Sequence, residues 1–112
     1  MQLNISEVSV LVYLLLADYI TGVSVAFVEK KVKSSIGRKG IFEKFGIIMC
    51  VFVCSLIDSL NLSDTQIQPL VVLFFIANES ISIFENLGKL NVPIPNFLTS
   101  SLKDLKEKTE KE

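Results

Sequence analysis

Three carboxylates stand where carboxylates are expensive. Asp18 sits in the middle of one long apolar run, Glu79 in the middle of another, and Asp58 close to the end of a third. A charged Asp at the centre of a bilayer costs about 2.5–3.5 kcal/mol on insertion scales. Such groups persist as protonated carboxyls hydrogen-bonded inside a helix contact, or as ionised carboxylates facing water in a pore. No Lys or Arg is expected at matching depth, so an ion pair within one chain is not expected to offset them. Other chemistry is sparse. The chain has no His, the commonest general base and metal ligand. Cys50 and Cys54 lie four apart in an apolar run, which reads as two small fillers on one helix face rather than a redox pair. Gly37 and Gly40, in SSIGRKG, suit a basic turn near lipid headgroups better than a phosphate cradle. No metal or cofactor site and no nucleophile–base pair stands out, and an enzyme is not expected.

The neighbours of the carboxylates are patterned. Asp18, Thr21, Gly22 and Val25 share one helix face, and Thr21 with Gly22 makes a small polar surface suited to close helix approach. Gly46, Cys50, Cys54 and Asp58 follow at four-residue steps. Asn78, Glu79, Ser82, Glu85 and Asn86 form a continuous polar stripe, which needs other helices or water as its partner rather than lipid. These residues are the candidates for pore-lining or inter-helix polar contacts, with the first and third helices expected to face water. Asp58 marks a helix end.

The elements that must carry them are three apolar spans, at about residues 8–28, 41–60 and 69–87. The first, Val8 to Val28, reaches about 30 Å at about 1.5 Å per residue, the thickness of a hydrocarbon core. A cleaved signal peptide fits it poorly, because no basic residue precedes the run and no small-residue cleavage site follows. A soluble three-helix bundle would need a charged stripe between Val8 and Ala17, where only Ser9 and Tyr13 are polar. The second span has a short clean core, Phe45 to Ile57, with Lys44 placed to snorkel at its edge. Pro69 suits the first turn of the third.

All 11 basic residues follow the first or the third span. Lys30, Lys31, Lys33, Arg38 and Lys39 fill the first loop, and the last five follow Leu87. The positive-inside rule therefore places the N-terminus outside and the first loop and C-terminus in the cytoplasm. Three spans permit that arrangement. In the tail, residues 88–112, Gly88 is expected to end the third helix and Asn96 to cap a short amphipathic helix carrying Phe97, Leu98, Leu102 and Leu105. That helix is expected on the inner surface or against the bundle. The fold class is thus an all-α membrane protein, a single domain over residues 1–112, with three transmembrane helices and a short C-terminal amphipathic helix. Net charge is −1, which gives no reason to expect a nucleic-acid partner.

Two stretches carry a resemblance. LADYITGVSVAFVEKKVKSSIGRKGI resembles the opening of the phage holin family that includes clostridial toxin-secretion holins, and FFIANESISIFENLGKLNVPIPNFL resembles its closing signature. The second span matches in character only. The resemblance implies a homo-oligomer in the bacterial inner membrane that assembles at a set time into lesions, collapses the potential and lets endolysin reach the wall. Some relatives instead support toxin export. The family's D-Y-I-T-G aspartate corresponds to Asp18 and its N-E glutamate to Glu79. The rival readings are a non-lytic release pore, an accessory subunit of a membrane complex that permeabilises nothing, and a small ion-coupled carrier.

Overall fold

Four helices follow from this pattern in the computed structural model, which describes residues 5–31, 33–62 and 64–111. They are α1 (Ile5–Val28), α2 (Ser34–Asp58), α3 (Gln68–Lys89) and α4 (Asn96–Lys111). No strand occurs among the described residues. Three helices are long and apolar enough to cross a bilayer, over Glu7–Val28, Gly37–Asp58 and Gln68–Lys89.

The turns are built by side chains and backbone that tolerate them. Lys30 (φ 58°) and Asn91 (φ 70°) adopt the left-handed conformation just past α1 and α3. At each, a six-residue closing bond satisfies an orphan carbonyl: Lys31 N–H to Ala26 O at 2.7 Å, and Val92 N–H to Leu87 O at 3.0 Å. Gly88 therefore does not end α3; the helix runs on to Lys89, and Asn91 makes the turn that Gly88 was expected to make. Asn96 is the first residue of α4 rather than its preceding cap, and Leu98 N–H bonds Pro95 O at 3.1 Å. Asp58 does more than mark the end of α2. Its two carboxylate oxygens accept the Ile67 and Gln68 backbone N–H groups at 2.9 and 2.8 Å, capping the start of α3.

Packing is uneven. α1 and α3 lie most closely together, while α2 meets α1 only lightly. Leu11, Leu15, Val51 and Val72 form the buried apolar core, flanked by Val8, Ile47, Val71, Phe75 and Ile76. The outward faces of α1 and α2 are mostly apolar, with Tyr13, Leu16, Ile20 and Phe27 exposed on one and Phe42, Phe45 and Phe52 on the other, beside the single acid Glu43. Cys54 is buried and Cys50 exposed, both as free thiols, so only one of the pair fills a contact. Gly37 and Gly40 are not in a turn. They lie inside α2, where an added Cβ would stand 3.2 Å from the Tyr19 hydroxyl and 3.2 Å from its ring respectively. Their lack of side chains lets Tyr19 lie against α2.

α4 packs on the bundle. It turns back along α3, so that Lys106 reaches Asn78 near the middle of α3 and Thr109 lines a cavity with Leu70 and Val71 near its beginning.

Candidate functional site

The polar face of α3 is turned toward α1 and α2. Glu79 is 3 % exposed, among the most buried residues of the described chain. Its Oε1 accepts a hydrogen bond from Lys44 Nζ at 2.6 Å, and Lys44 also donates to Asp18 Oδ2. One ammonium thus bridges two carboxylates from two other helices. This corrects the expectation that no cation lies at matching depth. The physical reason is where α2 starts. The helix begins at Ser34, not at the apolar run from Ile41. Lys44 is then roughly 15 Å along α2 from Ser34. Asp18 is roughly 15 Å before the end of α1 at Val28, and Glu79 roughly 15 Å before the end of α3 at Lys89. All three measurements start from the same end of the bundle, so the charges meet.

Amides and a hydroxyl extend the network. Asn78 Nδ2 approaches the second Glu79 oxygen at 3.3 Å. Asn86 Nδ2 donates to Asp18 Oδ1 at 3.2 Å and to Thr21 Oγ1 at 3.0 Å, and the Thr21 hydroxyl donates in turn to Ala17 O at 2.8 Å. Gly22 lies beside this contact, where a Cβ would stand 3.7 Å from Asn86 Nδ2. A cavity of 440 Å³ adjoins the trio, lined among others by Asp18, Lys44, Asn78, Glu79 and Ser82. A cleft of 660 Å³ beside it is lined by Tyr19, Lys33, Arg38 and Asn86 among others. With both carboxyls ionised, the trio carries one net negative charge.

Of the residues singled out from sequence, Asp18, Thr21, Gly22, Asn78, Glu79 and Asn86 come together here, with Ser82 on the cavity wall. Glu85 does not join them. It is exposed and faces a different cavity, between α3 and α4. Asp58 lies apart, at the α2–α3 turn. Among the basic residues of the first loop, Lys30, Lys31, Lys33, Arg38 and Lys39 are all exposed. Lys44 was the residue sequence reasoning missed. Its signal was available: counting helical residues from the first loop, rather than apolar ones, puts it level with Asp18 and Glu79. Among the described residues no group of three His, Cys, Asp or Glu side chains is placed to hold a metal ion. The arrangement can bind helices together by charge and hydrogen bonds, and it can exchange those partners for water.

Comparison with known proteins bears on what such a bundle is. The model of the bacteriophage holin family matches residues 5–107, nearly the whole chain. The chain belongs to the bacteriophage holin family. A probable holin of Bacillus phage phi105 is 33% identical over 113 residues, covering 97% of this chain and 84% of the relative. An uncharacterized protein of Clostridium perfringens strain 13 is 40% identical over 102 residues, covering 90% of this chain and 75% of the relative. An uncharacterized 14.9 kDa protein of Clostridium perfringens is 39% identical over 106 residues, covering 94% and 80%. No solved structure matches. Family and fold agree on a multi-pass membrane protein.

Proposed function

We propose that this holin accumulates in the bacterial cytoplasmic membrane, oligomerises, and opens lesions that depolarise the cell and release endolysin. The observation that carries the reading is the Asp18–Lys44–Glu79 trio. Most of the exposed surface of α1 and α2 is apolar, Glu43 beside Lys44 being an exposed acid within the second span, whereas Asp18, Lys44 and Glu79 are drawn inward to one another. A buried ionic cluster between the spans is a latch with two satisfied states. Closed, each carboxylate is held by Lys44 and by the amides of Asn78 and Asn86. Hydrated, the same groups are satisfied by water in a lesion. A subunit is therefore compact until water competes for the latch.

Two levers act on that balance. Crowding brings subunits together and excludes lipid from between them. The membrane potential acts on any net charge that moves, worth about 2.3 kcal/mol per elementary charge per 100 mV. The orientation follows from Lys30, Lys31, Lys33, Arg38 and Lys39: the first loop and the turn between α3 and α4 on the cytoplasmic side, the N-terminus outside. Asp18, Thr21, Gly22, Asn78, Glu79, Ser82 and Asn86 are the contacts that hold the compact form.

The test is expression of the chain alone in a bacterium, followed with a potential-sensitive dye and by escape of a cytoplasmic enzyme. Depolarisation followed by escape supports a lytic holin. With a small toxin co-expressed, its escape without lysis supports a non-lytic release pore instead. No permeabilisation at high membrane levels of the protein refutes both and leaves an accessory subunit.

A further inference from the structure

The trio has a counterpart at the other end of the bundle. Eleven residues before Asp18 stands Glu7, eleven after Lys44 stands Ser55, and eleven before Glu79 stands Gln68. Eleven residues make about three helical turns, so each counterpart shares a helix face with its charged residue, about 16.5 Å along. Because α2 runs opposite to α1 and α3, all three steps lead away from the first loop. Burial agrees: Ser55 and Gln68 are each 2 % exposed, and Glu7 is half-buried. The Asp58 cap on the Ile67 and Gln68 amides ties the end of α2, one turn beyond Ser55, to the start of α3. This second polar layer lies at the boundary of the spans, two of which begin at Glu7 and Gln68.

Between the two polar layers the interior is apolar. Leu11, Val51 and Val72 form the layer one turn inward from Glu7, Ser55 and Gln68, and Leu15, Ile47 and Ile76 form the next. The 440 Å³ cavity beside the trio ends against this plug, at Ile47 and Phe75. The outer layer differs from the trio in its bonding. Ser55 Oγ and both polar atoms of the Gln68 amide have no hydrogen-bond partner among the described residues. Buried donors and acceptors in that condition gain from any state that wets them. Gln68 presents a donor and an acceptor, and Ser55 acts as either, so their ligand must both donate and accept. Water does both, and the bilayer boundary supplies it.

We propose that Ser55 and Gln68, level with Glu7, form a water-binding site at the end of the bundle away from the first loop, and that the two apolar layers between this site and the trio are the barrier whose wetting opens the latch. This deepens the holin reading and rests on it: the bundle axis wets first, and the lesion between copies follows. An apolar constriction between two polar ends holds water out by dewetting, and a polar group at its edge makes wetting easier. Ordered water costs entropy that an apolar side chain does not, so the compact subunit is more stable without the site than with it. The site favours the wetted form.

The experiment uses the full chain in bacterial membranes, with potential and abundance followed together. Gln68→Met keeps the length of the side chain and removes its polar atoms, and Ser55→Ala is the second variant should one fail to accumulate. The delay from induction to depolarisation is expected to lengthen severalfold at equal abundance. An unchanged or shorter delay in the variants that accumulate overturns the proposal. The order of wetting is read with a small water-soluble thiol reagent on chains carrying Cys50→Ala and Cys54→Ala, a readout that added stability alone would not move. Before depolarisation Ser55→Cys is expected to react on the order of tenfold faster than Leu15→Cys, which reacts only as the potential collapses. Equal rates at the two positions, or Leu15→Cys reacting first, overturn it. A chain that never depolarises the cell refutes the holin reading, while Ser55→Cys reacting ahead of Leu15→Cys in that same chain still upholds the water site.

Discussion

Replacing Lys44 by Met removes the ammonium while keeping most of the stem, and so isolates the charge of the latch. Removing one partner of a buried ion pair costs about 3–5 kcal/mol. Here the Lys44, Asp18 and Glu79 side chains are 18%, 12% and 4% exposed, and the 440 Å³ cavity beside them has room for water. That screening places the loss at the lower end, about 3 kcal/mol. At about 1.4 kcal/mol per decade the ratio of compact to hydrated subunits falls roughly a hundredfold. Lys44→Met is therefore expected to shorten the delay between induction and depolarisation, at equal protein in the membrane. Neutralising the stranded acids as well, in Lys44→Met/Asp18→Asn/Glu79→Gln, removes the uncompensated charge and is expected to restore a delay near the wild type. Membrane levels are measured by immunoblot and the potential by dye fluorescence in the same culture. A single variant that keeps wild-type timing at wild-type abundance refutes the latch. A triple variant as early as the single one refutes stranded charge as the cause.

Three further outcomes test other parts of the fold. Asp58→Ala removes the cap on α3, worth about 1 kcal/mol, and is expected to speed hydrogen exchange of the Ile67 and Gln68 amides severalfold while leaving Leu11 and Leu15 protected. Gln68 is 2 % exposed, and neither end of its side-chain amide has a partner among the described residues, so Gln68→Leu is expected to stabilise the detergent-solubilised protein by about 1 kcal/mol, read as a higher Tm. Gly40→Ala gains about 0.5–1 kcal/mol of helix stability only where Tyr19 is absent, because its Cβ would stand 3.2 Å from that ring; the gain is expected in a Tyr19→Ala background and not in the wild type, and equal effects in both would refute the contact.

Much of this was legible from residue order, because the properties concerned are local. Long apolar runs give membrane-length helices, since backbone groups in lipid have no other way to pair. The 3.6-residue period places Asp18 with Thr21 and Gly22, and Asn78 and Glu79 with Ser82 and Asn86. What was misread depended on where a helix starts or stops. The residues before Ile41 are basic and polar, so they read as a loop with a glycine turn, yet they are the first turns of α2. The two glycines tolerate that helix and make room for Tyr19. The same shift carried Lys44 from the edge of a span to the level of Asp18 and Glu79. Gly88 and Asn91 exchanged roles because either residue type can supply a left-handed turn, and only the chain's path beyond Lys89 selects between them.

The carboxylates in the spans therefore divide by what determined them. Sequence alone fixed that Asp18 and Glu79 needed partners, because burial of an unpaired charge is too costly wherever the helices lie. It also fixed the three spans and the amphipathic character of α4. Only the tertiary structure decided who the partners are. Lys44 meets both acids because α2 runs opposite to α1 and α3, which brings positions equally far from one end to the same level, and α4 lies on α3 because the turn after Lys89 sends it back along that helix. Helical periodicity says which residues share a face, but the depth and rotation of each helix are set by its neighbours, and those are contacts between residues far apart in the chain.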